Sequence, residues 1–360
     1  MKFLNVWALA AALMLPMISC DDDNNNSTDE PEVNPADNLT LLVLNRGNYQ
    51  SNNASLNQID LATGDNMDIY QTANGNGLGD AAQDIWADES YYYVTVTNSN
   101  RIVKLDHTGK LLAEANPTDS VGGPVNPRSM VLNGGKLYVT YFYNHAVGVL
   151  DAETMQEEKR IPVGRYPEGI TMANNKLYVA NSGGNDYPNY GNTVSVIDLG
   201  TETVSDTIEV VINPTIVKAD SEGDVYVISM GDYGDTKNIL QRINAETQEV
   251  DTLGNGTLIT IANDKIYSIY AQYGSTSADM HFEVYNALTE QKESDNFIAD
   301  GTTFTSPNSL NIDPTTGVIA ICDYVYGETN TLYLFSSDGN QLVEPIDTKG
   351  YDSYKVLFLE

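Results

Sequence analysis

The sequence predicts an all-β protein, a seven-bladed β-propeller of four-stranded antiparallel blades with the ring closed by the C-terminal strand completing the first blade. Three observations lead there. A short strand of β-branched, aromatic and small residues recurs seven times at spacings of 40–52 residues, close to the roughly 40–50 residue period of propeller repeats. Each copy continues through the same succession of strand and turn. The first copy lacks a strand that the last residues, GYDSYKVLFLE, supply.

The recurring strand reads LLVLN (41–45), YYVTVTN (92–98), LYVTYFY (137–143), LYVANS (177–182), VYVISM (225–230), IYSIYA (266–271) and VIAICD (318–323). Leu42, Tyr93, Tyr138, Tyr178, Tyr226, Tyr267 and Ile319 are taken as its equivalent positions. A second strand follows, as in RIVKLD, AVGVLD and TVSVIDL. It ends in Asp/Asn-x-x-Thr or Asp-Gly, which are tight-turn sequences. A third strand comes next, as in RIPVG. Ahead of the LYV strand lies a fourth, starting at a proline in NPRSMVL, YPEGITM, NPTIVKA and SPNSLNI. One unit is therefore four strands, A to D. Outside the first twenty residues no segment shows sustained helical periodicity. The first unit begins directly at strand B, and closing it with the chain's end removes an exposed sheet edge.

The ends divide the chain into 1–19, a lipoprotein signal peptide; 20–38, a lipidated cysteine and acidic flexible tether; and 39–360, the propeller. Lys2, the apolar run from Val6 to Met17 and Ser19 before Cys20 form a secretory signal too short for a membrane span. LPMISC resembles a lipobox, which implies lipidation at Cys20 and a membrane held by the lipid anchor only. DDDNNNSTDEPEVNPADN has almost no apolar side chains and reads as a tether. Its three aspartates resemble the acidic export tag of Bacteroidetes surface lipoproteins, which implies an outer-membrane location facing the exterior. An ordinary cleaved signal and a generic acidic linker are the plainer readings of the same residues. Of two cysteines, only Cys322 remains, in an apolar strand, where it reads as a small core residue.

The chain carries 50 acidic and 18 basic side chains, a net charge of −32. Such a charge argues against nucleic acid or an anionic lipid surface as partner. Tyrosine is abundant at 23, against 7 phenylalanines. Part of that excess is strand preference. The rest suits wet contact surfaces, because tyrosine joins an apolar ring to a hydroxyl.

Two strands can be joined by a two-residue turn, yet KLYVAN and NTVSVID are separated by SGGNDYPNYG. In a propeller the B–C and D–A connections share one face, and here the B–C connections are long and rich in tyrosine and amides, whereas the C–D turns are short. Loops on a rigid scaffold are where binding resides. The candidate ligand-binding residues on this rim are Arg46, Asn48, Tyr49, Tyr141, Tyr143, Asn185, Tyr187, Tyr190, Tyr233, Gln272, Tyr273, Tyr324 and Tyr326. Gln83, Arg128, Glu168 and Asn308, at or after the start of strand A, are placed at the channel mouth. The D–A connections add Tyr70, Arg165, Tyr166, Phe304, Tyr351 and Tyr354. Loop-against-loop packing is the alternative role for any one tyrosine.

No G-x-S-x-G elbow, H-E-x-x-H, phosphate-cradling glycine loop or paired-cysteine metal site occurs. His107, His145 and His281 share no spacing. The aspartates of GDYGD (231–235) lack a calcium-ligand pattern. No catalytic residue, catalytic cofactor or metal is expected, although propellers do host enzymes.

YPEGITMANNKLYVANSGG followed by NTVSVIDL is similar to the repeats of YncE-like seven-bladed propellers. NRGNYQSNNASLNQIDLATGD, behind a surface-lipoprotein start, resembles the BtuG-type lipoproteins of Bacteroidetes. The resemblance spans about 39–360. It implies a non-enzymatic protein that captures cobalamin (vitamin B12) or a related corrinoid and passes it to a TonB-dependent outer-membrane transporter. A ferric siderophore is an alternative ligand. A propeller lyase or hydrolase and a protein-interaction platform are the alternatives of other classes.

Overall fold

The computed structural model describes residues 34–359. The signal peptide, Cys20 and the tether up to residue 33 lie outside the described residues. Seven four-stranded antiparallel sheets follow one another around a ring. Blade 1 takes its strand A from Ser353–Leu359 and strands B to D from Thr40–Asn45, Ser55–Asp60 and Asp65–Asp68. Strands A of blades 2 to 7 are Ala82–Ala87, Pro127–Asn133, Pro167–Ala173, Pro214–Ala219, Leu258–Ala262 and Pro307–Ile312. The closing pair runs from Thr40 opposite Leu359 to Leu44 opposite Lys355, then shifts by one residue to place Asn45 opposite Ser353.

Strands B are apolar on both faces because every blade is sandwiched between two others. In blade 1, Leu41 and Val43 pack on Val318, Ala320 and Cys322 of blade 7. Leu42 and Leu44 pack on Tyr92 and Val94 of blade 2. This is the two-residue alternation of a strand with both sides buried. Burial fades outward, so that strand D of blade 4, Thr203–Glu209, is almost wholly exposed. Cys322 is fully buried, and burial pushes its thiol up to about 12, as befits an inert core residue.

The C–D turns explain their own sequence. Oδ1 of Asp60, Asp151, Asp198, Asn244 and Asn286 accepts the backbone N–H three residues on. The Asp/Asn side chain thus caps the turn that follows strand C.

Register corrects one repeat assignment. Met130 pairs with Val139 and Leu310 with Ile321, so Tyr138 corresponds to Ala320, not Ile319. A one-residue slip reverses the face of a strand residue. Ile319 indeed packs toward blade 6, whereas Ala320 packs toward blade 1. The five tyrosines at this position face the following blade, and three reach its C–D turn. Tyr93 donates to the Ala152 carbonyl, Tyr138 to Glu202 and Tyr226 to the Ala287 carbonyl. Part of the tyrosine excess is therefore interblade fastening.

Glu202 gathers one such fastening. Its carboxylate receives Lys159 at 2.6 Å, Lys136 at 3.0 Å and the Tyr138 hydroxyl at 3.0 Å. These partners, Lys159 foremost, hold its pKa down at about 2. A lowered carboxylate pKa contributes stability above its ordinary value of 4.5, lost as pH falls toward 2. Glu202→Gln should therefore destabilise at pH 7, and its deficit against wild type should shrink in denaturant melts between pH 4.5 and 2. A deficit that stays constant over that range would contradict the assignment.

Two expectations need correction. The propeller begins before residue 39: Ala36 is fully buried and the Asn34 amide donates to the Leu342 carbonyl at 2.8 Å. A helix, Ile69–Asn74, follows blade 1, capped by Asp68 and ended by Gly75 at positive φ. Six residues are too few to show a helical period. This helix draws Tyr70 into the core, so Tyr70 is not on the rim.

Candidate binding face and axial channel

Strand A starts opposite the end of strand B, as Pro127 does opposite Tyr141, and strand C starts beside both. The B–C loops and strand A starts therefore share one face, as the sequence requires. In blades 2, 3, 4, 5, 7 and 1 the register shifts at the start of strand A. Such a bulge leaves a residue unpaired and re-aims its side chain. Equivalent bulge positions are Gln83, Arg128, Glu168, Thr215, Asn308 and Tyr354, with Thr257 completing the ring in blade 6. Hydroxyls of the neighbouring blade secure two of them: Thr95 donates to the Arg128 carbonyl and Thr140 to the Glu168 carbonyl. The sequence places four of these seven at the mouth, Gln83, Arg128, Glu168 and Asn308, and a fifth, Tyr354, on the rim.

Charge at the mouth is balanced locally. Arg46 grips Asp352 through two bonds of 2.8 Å and lies 4.0 Å from the Tyr354 ring centre. The Asn308 amide donates to the same carboxylate at 2.8 Å. Across the ring, Arg128 pairs with Glu168 at 3.4 Å and lies over Phe142 at 4.3 Å. Burial pushes the Glu168 carboxyl up, against the pull of Arg128 and Arg46. Two atoms here, Arg128 Nε and Asn308 Oδ1, are buried without a hydrogen-bond partner. Buried polar groups are normally satisfied, so these two are exceptions.

Around the mouth stand the tyrosines. Tyr49, Tyr143, Tyr187, Tyr233, Tyr273 and Tyr326 are all exposed, from 48% for Tyr143 to complete exposure for Tyr273. They come from the B–C loops of six blades; blade 2, with TNSN, contributes none. In the long loop of blade 4, Tyr187 meets Tyr190, and Tyr190 meets Tyr233 of blade 5, at centroid distances of 6.1 and 6.2 Å. Asp186 of the same loop pairs with Arg165 of the D–A connection that leads into Pro167, and Asn185 is exposed beside it. The ten residues that replace a tight turn thus build an aromatic bridge to the next blade. Tyr324 is half-buried near Arg46 and Asp352. Gln272 accepts from the Tyr270 hydroxyl at 2.8 Å, and Asn48 is half-buried inside its own loop.

Tyr141 does not belong to this face. It is still in the strand ladder, opposite Ala146, and fully buried. Its hydroxyl donates to Glu157 at 3.0 Å, and a Cβ on Gly148 would lie 2.1 Å from its Cζ, so only glycine leaves room for the ring. Phe304 is likewise core. The histidines are structural: Nδ1 of His145 accepts the Tyr166 N–H at 3.0 Å, His107 stacks on Tyr92 and His281 on Tyr270. Asp232 of GDYGD accepts the N–H groups of Gly234 and Thr236 in its own turn. Among the described residues there is no cluster of three or more His, Cys, Asp or Glu arranged to hold a metal ion.

Below the mouth, strands A enclose a cavity of about 270 Å³. Its charged groups were not anticipated. Asp84, 4% exposed, accepts the backbone N–H of Ile85 and of Met130 at 2.9 Å and pairs with Lys355. Lys218 lines the same cavity. Nothing local in DAAQDIW, PTIVKAD or SYKVLF signals that blades 2, 5 and 1 bring these groups together.

No protein-family model matches the chain, and no curated protein matches it in sequence. Solved structures do match its shape. A quinonprotein alcohol dehydrogenase-like protein from Bacteroides thetaiotaomicron aligns with a TM-score of 0.62 at 16% identity, over 90% of this chain and 78% of that one. A putative 6-phosphogluconolactonase from Bacteroides uniformis gives 0.60 at 11% identity, over 90% and 100%. The dihydro-heme d1 dehydrogenase NirN in complex with DHE gives 0.60 at 10% identity, over 92% and 77%. At these identities the likeness is one of fold: the chain is a β-propeller.

Proposed function

We propose that this propeller is a capture protein, which takes up a large, amide-rich, partly apolar nutrient on its tyrosine-rimmed face without converting it. The observation that carries the reading is the placing of an exposed tyrosine by six of seven blades around one polar mouth. A rigid ring of amphipathic side chains with few convergent charged groups suits a broad ligand having apolar faces and a polar periphery. A corrinoid such as cobalamin has that make-up, and the BtuG-type resemblance points to it. On this reading the protein is an outer-membrane surface lipoprotein anchored at Cys20, and a TonB-dependent transporter receives the ligand.

The test mixes residues 34–360 with cyanocobalamin at equal micromolar concentrations and follows visible absorbance through a sizing column. Comigration of about one equivalent is expected, as for sub-micromolar affinity. Absence of colour from the protein peak would overturn the corrinoid reading, and ferric siderophores would be tried next. Tyr187→Ala with Tyr233→Ala should weaken binding by roughly tenfold or more. Both side chains are exposed, so stability should change by under about 0.5 kcal/mol each. Unchanged affinity would remove this sector from the site.

A further inference from the structure

We propose that the axial channel beneath the mouth is a separate ligand site, in which the Lys218 ammonium and the Asn311 amide bind a single carboxylate group. The proposal is independent of what the tyrosine face holds. Lys218, Thr171, Thr260 and Asn311 occupy one register level of strands A: each pairs with the same position of its strand B, opposite Tyr226, Tyr178, Tyr267 and Ala320. All four line the same cavity, which runs up to Gln83, Asn308 and Tyr354 at the mouth. A path from the binding face to this level is therefore built into the fold.

Two donors there lack an acceptor. Asp84, two residues nearer the mouth and opposite Thr95, is the carboxylate that lines this cavity, and it is already taken by two backbone N–H groups and Lys355. Among the described residues no carboxylate pairs with Lys218. Asn311 Nδ2 is buried with no partner. A half-buried ammonium in a cavity with no paired carboxylate is costly, and an unserved amide N–H adds to that cost. Both are relieved by one acceptor-only group.

Charge selects the class of group. Arg46 with Asp352 and Arg128 with Glu168 cancel at the mouth. Below them stand two ammoniums and one carboxylate, a surplus of one positive charge. A monovalent anion neutralises it, whereas a doubly charged phosphate leaves an excess negative charge in a protein of net −32. Burial, then repulsion from Lys355, pushes the Lys218 ammonium down to about 8, against the pull of Asp84. The titratable groups facing it are Asp84 from blade 2 and Lys355 from blade 1, with Arg128, Glu168 and Tyr354 above. An anion beside Lys218 favours its charged form, so binding should weaken as pH rises through 8.

Trp86 lines the cavity at the same level and is the sole tryptophan of residues 34–360. The experiment titrates that chain with sodium acetate and propionate at constant ionic strength, with sodium chloride as reference, and reads Trp86 fluorescence and Tm. Saturable quenching and a raised Tm are expected with the carboxylates and not with chloride. Lys218→Met should fold with an unliganded Tm at or above wild type, lose the carboxylate-induced Tm rise, and weaken binding by at least roughly tenfold. Lys218→Arg, which keeps the charge, should retain binding below pH 8 and extend it above. Equal responses in wild type and Lys218→Met would overturn the proposal. So would an equal response to chloride, or inorganic phosphate saturating below acetate, which would reassign the site to another anion.

Discussion

A chain ending at Gly350 is expected to form no folded propeller. It loses strand A of blade 1, which pairs with strand B at six positions from Thr40 to Asn45. Val356, only 2% exposed, sits among Leu41, Val43, Val318 and Cys322 where blades 7 and 1 meet, and Leu357 and Leu359 pack toward blade 2. Each fully buried apolar side chain is worth about 1.5–3 kcal/mol. Losing several at once, and opening strand B to water, approaches the whole net stability of a domain, about 5–15 kcal/mol. The cut also strips Asp84 of Lys355 and Asn45 of the Ser353 hydroxyl. Circular dichroism and denaturant melts of the truncated chain should show no cooperative transition. Adding a peptide of residues 351–360 in trans should restore one. Val356→Asp, which buries an unpaired carboxylate in the same seam, should cost several kcal/mol, of order 3–5. A truncated chain melting within a few degrees of wild type would refute the closure as the source of stability.

Asp84→Asn has the next largest expected effect, a loss of about 3–5 kcal/mol, because it leaves Lys355 and Lys218 facing one another in a cavity with no counter-charge. The penalty belongs to the stranded charge rather than to the lost bond. Asp84→Asn with Lys355→Met should therefore recover much of the loss, and the double-mutant cycle measures the coupling. An Asp84→Asn variant within about 1 kcal/mol of wild type would show that the cavity is wet enough to screen its charges.

The mouth ring shows what a sequence can disclose about a site. Gln83, Arg128, Glu168 and Asn308 are legible because the start of strand A is a repeated landmark, marked by proline in four blades, whereas Tyr354 is legible only as a tyrosine of a D–A connection. A bulge at that landmark carries each side chain to the same level. The exposed tyrosines were legible for a similar reason, since a long aromatic loop where a tight turn would serve is conspicuous. Tyr141 is not legible in the same way, because LYVTYFY does not say where the ladder ends. Pairing with Ala146 carries the strand one residue further, and Gly148 makes room for the ring beneath. In IAICD both alternating faces are apolar, so composition cannot set the register or tell Ile319 from Ala320.

By itself the sequence determined the repeat, the number of blades, the closing strand and the face that carries the loops. All of these follow from local signals: apolar runs, turn residues and proline starts, repeated at a regular interval. Only the tertiary structure decided the contents of the axis. Asp84 and Lys355 are 271 residues apart and meet because the ring closes. Lys218 faces them from a third blade. A closed ring gives every blade one strand at the centre, so side chains that look ordinary in their own repeats are assembled there into one charged cavity. Its chemistry is a sum over seven blades, and no window of sequence contains it.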